Sequence, residues 1–293
     1  MKCTKPLLII LFAWAFILSA KQTHKTYHDQ SVFFTTNEAY SFQLSSISFD
    51  GEIKSGSNNA YFDSTDNIPE NPDSIKILSE NEVYAKEIIK KYVFAIGSED
   101  LLRSVYDRII DMKGLVQGVE TEIIFYQKAP NKLCQEILVS EVEQKIIYDG
   151  VNGSKIIGDI KQEITGNELV KLSYDAIMNL ILEPESFDVN LQYKGLEKIN
   201  DRDCYTILLT LPNGAEWLQY YDMETGLKVR DSKDLITEQG NFKQITEFDD
   251  YRSIEGIRYP FKIKQYLGSQ VLDFTIESIQ VNTGISDDVF QIE

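Results

Sequence analysis

The sequence predicts an α+β domain built on one long antiparallel sheet. Three observations point there. Apolar and polar residues alternate with a period of two in one stretch after another, from about residue 108 to residue 281. Short turn signals separate those stretches, among them Asp149-Gly150, Asn152-Gly153, Asn213-Gly214 and Glu255-Gly256. Asp-Gly and Asn-Gly between alternating runs are strong hairpin signals. Helical periodicity is confined to one end and one insertion, which is the pattern of an α+β chain. A sheet of about ten strands must curl strongly. Its concave face then needs filling, by helices, by a ligand, or by both.

The stretch from Asp249 to Tyr266 shows the pattern most clearly. Ile257, Tyr259, Phe261, Ile263 and Gln265 fall on one face, and Arg258, Lys262, Lys264 and Tyr266 on the other. One apolar face in alternation marks a half-buried antiparallel strand. Glu255-Gly256 feeds it, because glycine tolerates the positive φ of a tight hairpin. Beyond Gly268-Ser269 a second alternating run, 271–281, completes a β-meander.

Taken in order, residues 1–20 read as a secretory signal peptide. Lys2 and Lys5 form the basic start, residues 7–18 the apolar core, and Ser19-Ala20 the small-residue exit. Cleavage is expected after about Ala20. Lys21 rather than cysteine follows, and Cys3 lies in the charged start, so no lipid anchor is expected. The mature chain reads as an exported, soluble protein of the periplasm. Residues 21–78 are rich in Ser, Asn, Asp and Thr, with Pro69 and Pro72 near their end, and read as a flexible polar lead-in. Phe42, Leu44, Ile47 and Phe49 suggest one short strand within it.

The folded domain spans 79–293. Ser79-Glu80-Asn81-Glu82 is a capping box. Tyr84, Ile88, Tyr92 and Ile96, joined by Ala85 and Ile89, then share one helical face. Gly97 ends this helix, and Ser98 caps a short second one running to about Val105. Strands follow over 108–116, 121–127, 133–140, 142–148 and 155–157. Thr165-Gly166-Asn167-Glu168 repeats the capping-box pattern, and Leu169, Leu172, Ala176, Ile177, Leu180 and Ile181 make an apolar stripe. This predicts a helix over 166–182, stopped by Glu183-Pro184. Strands over 188–193, 195–199, 204–211, 216–222, 227–231 and 242–248 lead to the closing meander.

Composition narrows the function. The formal net charge is −17, and the chain is more acidic still without Lys2 and Lys5. Such a surface repels nucleic acid and anionic membrane faces. The two histidines, His24 and His28, both fall in the lead-in. Their i, i+4 spacing suits a metal only on a helix, and a disordered tail is the plainer reading. Ser-His-Asp and Cys-His hydrolysis and the usual zinc sites are therefore disfavoured. Asp201-Arg202-Asp203, Asp249-Asp250 and Asp287-Asp288 lack the spacing of a calcium loop and read as turn caps or solvated acids. Cys134 and Cys204 read as small buried residues in separate strands, with a disulfide as the alternative that an oxidising compartment allows. No catalytic residue, metal or cofactor is expected.

A succession of stretches resembles the outer-membrane lipoprotein carrier (LolA-like) superfamily, and in particular its divergent lipoprotein-sorting members. They are Tyr92 through Ala95-Ile96-Gly97 with Leu101 and Ser104; Tyr126-Gln127-Lys128-Ala129-Pro130-Asn131-Lys132; and Tyr148-Asp149-Gly150 with Gly153. Asp203-Cys204-Tyr205, Tyr221 through Gly226-Leu227, Asp250-Tyr251-Arg252, Gly256 through Phe261, and Ile279-Gln280-Val281-Asn282 follow in order. The resemblance covers roughly residues 80–293 and rests on the succession rather than on any one motif. It implies an open half-barrel of antiparallel strands whose concave face is covered by helices and shelters acyl chains. The family's carrier also uses an arginine inside the cavity to hold the helical lid, and Arg103, Arg108, Arg230 and Arg258 remain open for that place.

Burial of acyl chains is favourable by ~0.8 kcal/mol per methylene, so a dry concave sheet holds a lipid without catalysis. The candidate cavity-lining residues are Ile124, Tyr126, Ile137, Val139, Ile146, Tyr148, Trp217, Tyr221, Phe261, Ile263, Phe274 and Ile276. The plainer alternative for each is core packed against helices. The expected function is a periplasmic lipid or lipoprotein binding or carrier protein, monomeric, whose partner is a lipid or an acylated lipoprotein. The alternative is an envelope interaction or sensor domain of the same fold, acting through a protein partner with residues 21–78 as the contact.

Overall fold

Sheet order follows chain order at every pairing but one. The computed structural model describes residues 79–292, apart from 117, 238, 239 and 269. The expected signal peptide, the expected lead-in and short strand, and His24 and His28 lie outside the described residues. Two helices open the domain: α1 (Glu80–Ile96) and α2 (Glu99–Arg103). A first meander follows: β1 (Asp107–Val116), β2 (Val119–Lys128), β3 (Lys132–Val139), β4 (Val142–Tyr148), β5 (Gly153–Ile157) and β6 (Ile160–Ile164). Helix α3 (Gly166–Ala176) and two 3-10 turns, Leu180–Leu182 and Pro184–Phe187, come next. The second meander is β7 (Asn190–Ile199), β8 (Arg202–Thr210), β9 (Glu216–Asp222), β10 (Lys228–Thr237), β11 (Gly240–Ile254), β12 (Ile257–Leu267) and β13 (Gln270–Val281). A last 3-10 turn spans Asp287–Phe290.

All the strands join one 13-stranded antiparallel sheet in the order β6-β5-β4-β3-β2-β1-β13-β12-β11-β10-β9-β8-β7. The sheet is open, with β6 and β7 as its two edges. The first and last strands meet in the middle, Arg108 opposite Val281 and Val116 opposite Leu272. At that junction Gly114 lies so close to β13 that a Cβ would stand 2.2 Å from the Asp273 carbonyl oxygen and 2.5 Å from Phe274 Cδ1. Only a residue without a side chain allows the two strands to approach this closely.

Helix α1 begins as its sequence requires: Glu82 N donates to Ser79 Oγ (3.2 Å) and Ser79 N to Glu82 Oε2 (2.7 Å). It buries Ala85, Ile88, Ile89, Val93 and Ile96 and packs chiefly on β7, with further contact to β12. Tyr84 lies off this face, 49% exposed, with its ring 4.9 Å from that of Tyr193. The main apolar core joins α1 to the concave face through residues such as Val116, Ile137, Ile207, Leu209 and Tyr221. Of the three smaller clusters among the described residues, two contain a cysteine. One holds Cys134, Ile147, Ile285 and Phe290; the other holds Ile199, Cys204, Tyr220 and Val229. The two cysteines are thus buried in different clusters, and both are free.

Several elements depart from the sequence reading. Strand β6 was not foreseen: Ile160 to Glu163 are all exposed and only Ile164 is buried, so no period-two apolar face marks it. The helix over 166–182 ends at Ala176, because Ile177 turns extended (ψ 110°), and Thr165 makes no side-chain cap there. The segments at 188–193 and 195–199 are one strand, interrupted by a register shift between Tyr193 and Gly195, where φ is +119° at the glycine. The segments at 227–231 and 242–248 extend into one long hairpin, β10–β11.

Candidate functional site: a roofed hollow

Topology makes the roof. Strands β6 and β7 are opposite edges of the sheet, so the link 165–189 must pass from one edge to the other. That link carries α3 and the two 3-10 turns, and its apolar residues face the concave side: Leu169, Leu172, Tyr174, Met178, Leu180 and Ile181 all pack against the main core. Arg103 of α2 pairs with Glu183 of the link, Asn179 Nδ2 donates to Leu102 O at 2.9 Å, and Lys86 of α1 pairs with Glu185. The roof is therefore fastened to the opening helices.

Beneath it lies a hollow of about 460 Å³, within the ~300–1,000 Å³ range of small-molecule sites. Its apolar wall comes from Ile110 and Met112 of β1, Ile123 and Phe125 of β2, Ile137 of β3, Ile146 of β4, Leu209 of β8, and Trp217 and Tyr221 of β9. Tyr259 and Ile263 of β12 and Leu272 and Phe274 of β13 complete the sheet side, and Tyr92, Ile96, Leu102, Leu172 and Met178 lie on the roof side.

Of the residues read from sequence as lining a cavity, Ile137, Ile146, Trp217, Tyr221, Ile263 and Phe274 border this hollow. Val139, Phe261 and Ile276 are buried in the same core without bordering it. Tyr148 packs with Leu133 and Ala176 beneath α3. Ile124 and Tyr126 belong to the other phase of β2. Ile123 pairs with Ile137 across β3, whereas Tyr126 pairs with Cys134 and packs in the Cys134 cluster. Both phases of Ile123-Ile124-Phe125-Tyr126 are apolar, so this tetrad cannot choose a face. The exposed Glu120 and Glu122, two residues apart on the same strand, do choose it and put Ile123 and Phe125 inside.

One region of the wall is polar. Asp175 of α3 sits between Lys171 (2.6 Å) and Lys233 of β10 (2.5 Å), all three with side chains largely buried. Burial opposes ionisation of Asp175, but the two lysines outweigh it and hold the carboxyl below the usual carboxylate range. Lys233 also lies 4.0 Å from the centre of the Trp217 ring, and Lys228 pairs with Asp231 at 3.3 Å. On β1, Arg108 Nε donates to Gln127 Oε1 (2.7 Å), and Gln127 Nε2 donates to the Asp175 carbonyl (3.2 Å). Burial pushes the Tyr92 hydroxyl up to about 12, so it remains a neutral donor. Sequence reading missed this region because Lys171 and Asp175 (i, i+4) look like the solvated face of an amphipathic helix. Among the four arginines left open, Arg108 and Arg258 border the hollow. Arg103 pairs with Glu99 and Glu183, and Arg230 with Glu247.

The described residues contain no group of three or more His, Cys, Asp or Glu placed to hold a metal. Nor does any helix among them have the length and apolar character to cross a membrane. Asp250 pairs with Arg252, and Asp287 with Lys128 and Lys132.

The described residues thus form a curved open sheet roofed over an apolar hollow. No protein-family model matches the sequence, and no curated protein does. Solved structures do match. A DUF1329 family protein from Desulfovibrio piger superposes with a TM-score of 0.51 at 12% identity, over 73% of this chain and 98% of that one. A putative outer membrane lipoprotein-sorting protein domain from Vibrio parahaemolyticus gives 0.49 at 10% identity, over 72% and 97%. A LolA superfamily protein from Nitrosomonas europaea gives 0.48 at 14% identity, over 71% and 97%. The first of these superpositions shares with this chain a fold, a curved open antiparallel sheet. At such identities the likeness is one of fold alone.

Proposed function

We propose that this chain is a lipid-binding or lipid-carrying protein that shelters acyl chains in the roofed hollow, with no chemistry performed on them. The observation that carries this reading is the apolar wall of Ile110, Ile123, Phe125, Ile137 and Ile146 facing a cavity of about 460 Å³. Apolar surface removed from water stabilises a bound chain by roughly 25 cal/mol per Å². The cargo is a lipid or an acylated lipoprotein, and 79–293 is the domain that holds it. Residues 1–20 direct export to the periplasm in this reading. Structural neighbours described as lipoprotein-sorting and LolA superfamily proteins are in keeping with it.

Native mass spectrometry of protein purified from the periplasm, followed by lipid extraction, is the direct test. A bound acylated species is the expected result. A clean apo mass together with no saturable uptake of a fluorescent fatty acid would sink the carrier reading. Ile110 is half-buried on the wall of the hollow, so Ile110→Trp should fill space the chain needs. Losing room for about two methylenes, at ~0.8 kcal/mol each, weakens binding roughly tenfold. Probe titration of both proteins reads this, and equal affinities would place the ligand elsewhere.

A further inference from the structure

The hollow carries a cation that the protein itself does not neutralise. Arg108 is half-buried on its wall. Its partners are the Gln127 side chain, at 2.7 Å from Nε, and the Tyr259 hydroxyl, both uncharged. Among the described residues no carboxylate pairs with it. Elsewhere in the hollow Asp175 is matched by Lys171 and Lys233, Asp231 by Lys228, Asp234 at the edge by Lys243, and Glu168 lies within electrostatic reach of Lys155. Arg258, the other arginine bordering the hollow, is exposed, whereas Arg108 is half-buried, in a chain whose formal net charge is −17. Taking a charge out of water without a counter-charge is costly, and burial does lower the Arg108 pKa. A guanidinium also presents a planar fork of five N–H donors suited to two oxygens of one anion. Tyr92 of α1, bordering the same hollow, adds a hydroxyl close enough to Arg108 and Tyr259 to be influenced electrostatically by both. The acid acting on Tyr92 is Asp231, which Lys228 already pairs.

We propose that the hollow takes an acidic amphiphile, its carboxylate or phosphate head against Arg108, Tyr92 and Tyr259 and its acyl chain along the adjoining apolar strands. The proposal rests on the lipid-binding reading and deepens it by naming the class of head group. The apolar wall begins beside the cation: Ile110 lies two residues along β1, and Phe125 two residues along β2 from Gln127. Head and chain are thus served by continuous surface. The ligand's own charge supplies what the protein lacks.

The test compares ligands of one chain length by calorimetric titration at pH 7: dodecanoate, dodecyl phosphate, dodecanol and dodecyltrimethylammonium, with acetate and inorganic phosphate as heads without a chain. The anionic amphiphiles should bind at least about tenfold more tightly than dodecanol, and the chainless anions far more weakly than either. Arg108→Gln should remove the preference, bringing dodecanoate to about the affinity of dodecanol. Tyr259→Phe, which deletes one hydroxyl and keeps the ring, should reduce the preference in part, and it serves as the readout should Arg108→Gln unfold. Equal binding of dodecanol and dodecanoate, or a preference that survives both substitutions, overturns the proposal. Chainless anions binding as tightly as the amphiphiles overturns it too, since the site then serves a free anion. Failure of all four amphiphiles to bind would instead remove the lipid-binding reading beneath it.

Discussion

Replacing Asp107 by alanine should cost on the order of 3–5 kcal/mol of stability, the range for stripping a buried charge from the donors built around it. Asp107 is 0% exposed. Its carboxylate accepts from Thr283 N (2.8 Å) and Oγ1 (3.2 Å), Gly284 N (2.8 Å) and Ile285 N (3.2 Å). Its carbonyl accepts from Asn282 N at 2.9 Å, and Asn282 in turn bonds Tyr106 N and the Ser104 carbonyl. The bonds tie the start of β1 to the chain just beyond β13, at the centre of the sheet. Alanine would leave backbone N–H groups buried without acceptors. Urea unfolding should show a lower midpoint with an unchanged slope. A loss below about 1 kcal/mol would mean that water or a local shift replaces the carboxylate.

The second large effect is expected at Asp175. Asp175→Ala leaves Lys171 and Lys233 facing each other in the wall of the hollow with less compensation, and removing one partner of a buried ion pair typically costs about 3–5 kcal/mol. The wild-type pH dependence follows from the direction of the shift. The Asp175 carboxyl is held below the usual range when folded, so the unfolded state binds its proton more readily and stability rises with pH. The contribution is fully present above the unfolded value of about 3.9 and drains away as pH falls through the lower folded value. Asp175→Asn should therefore flatten the acid limb of stability against pH. Unfolding midpoints measured from pH 2 to pH 6 decide this: parallel curves for wild type and variant would show that other carboxylates control acid unfolding.

The meander was legible because its signals are local. Hairpin dipeptides, the capping box at Ser79 and the alternation from Ile257 to Gln265 each fix structure within a few residues, and β12 buries Ile257, Tyr259, Phe261 and Gln265 as that alternation requires. What escaped depends on distance. The face of β2 is decided by pairing with β3, not by its own Ile123-Ile124-Phe125-Tyr126. The polar region of the hollow joins Asp175 to Lys233, 58 residues apart, and Arg108 to Tyr259 across β1 and β12. No spacing in the sequence announces these meetings. The roof was half legible: the apolar stripe over 169–181 called for something to cover, but only the sheet order reveals that its chain must cross from edge to edge.

The one pairing that breaks chain order, β1 with β13, also divides the history of the molecule. The strands within each meander are sequence neighbours, so both meanders form from short-range contacts, which are quick to find. Joining them waits on two segments at opposite ends of the domain, a closure of high contact order. A chain delivered N-terminus first exposes β1 as an open edge until its last strand arrives. An unpaired edge invites pairing with other chains, so the interval before β13 docks is when this protein is most open to aggregation. The late strand is thus both the keystone of the sheet and its protection.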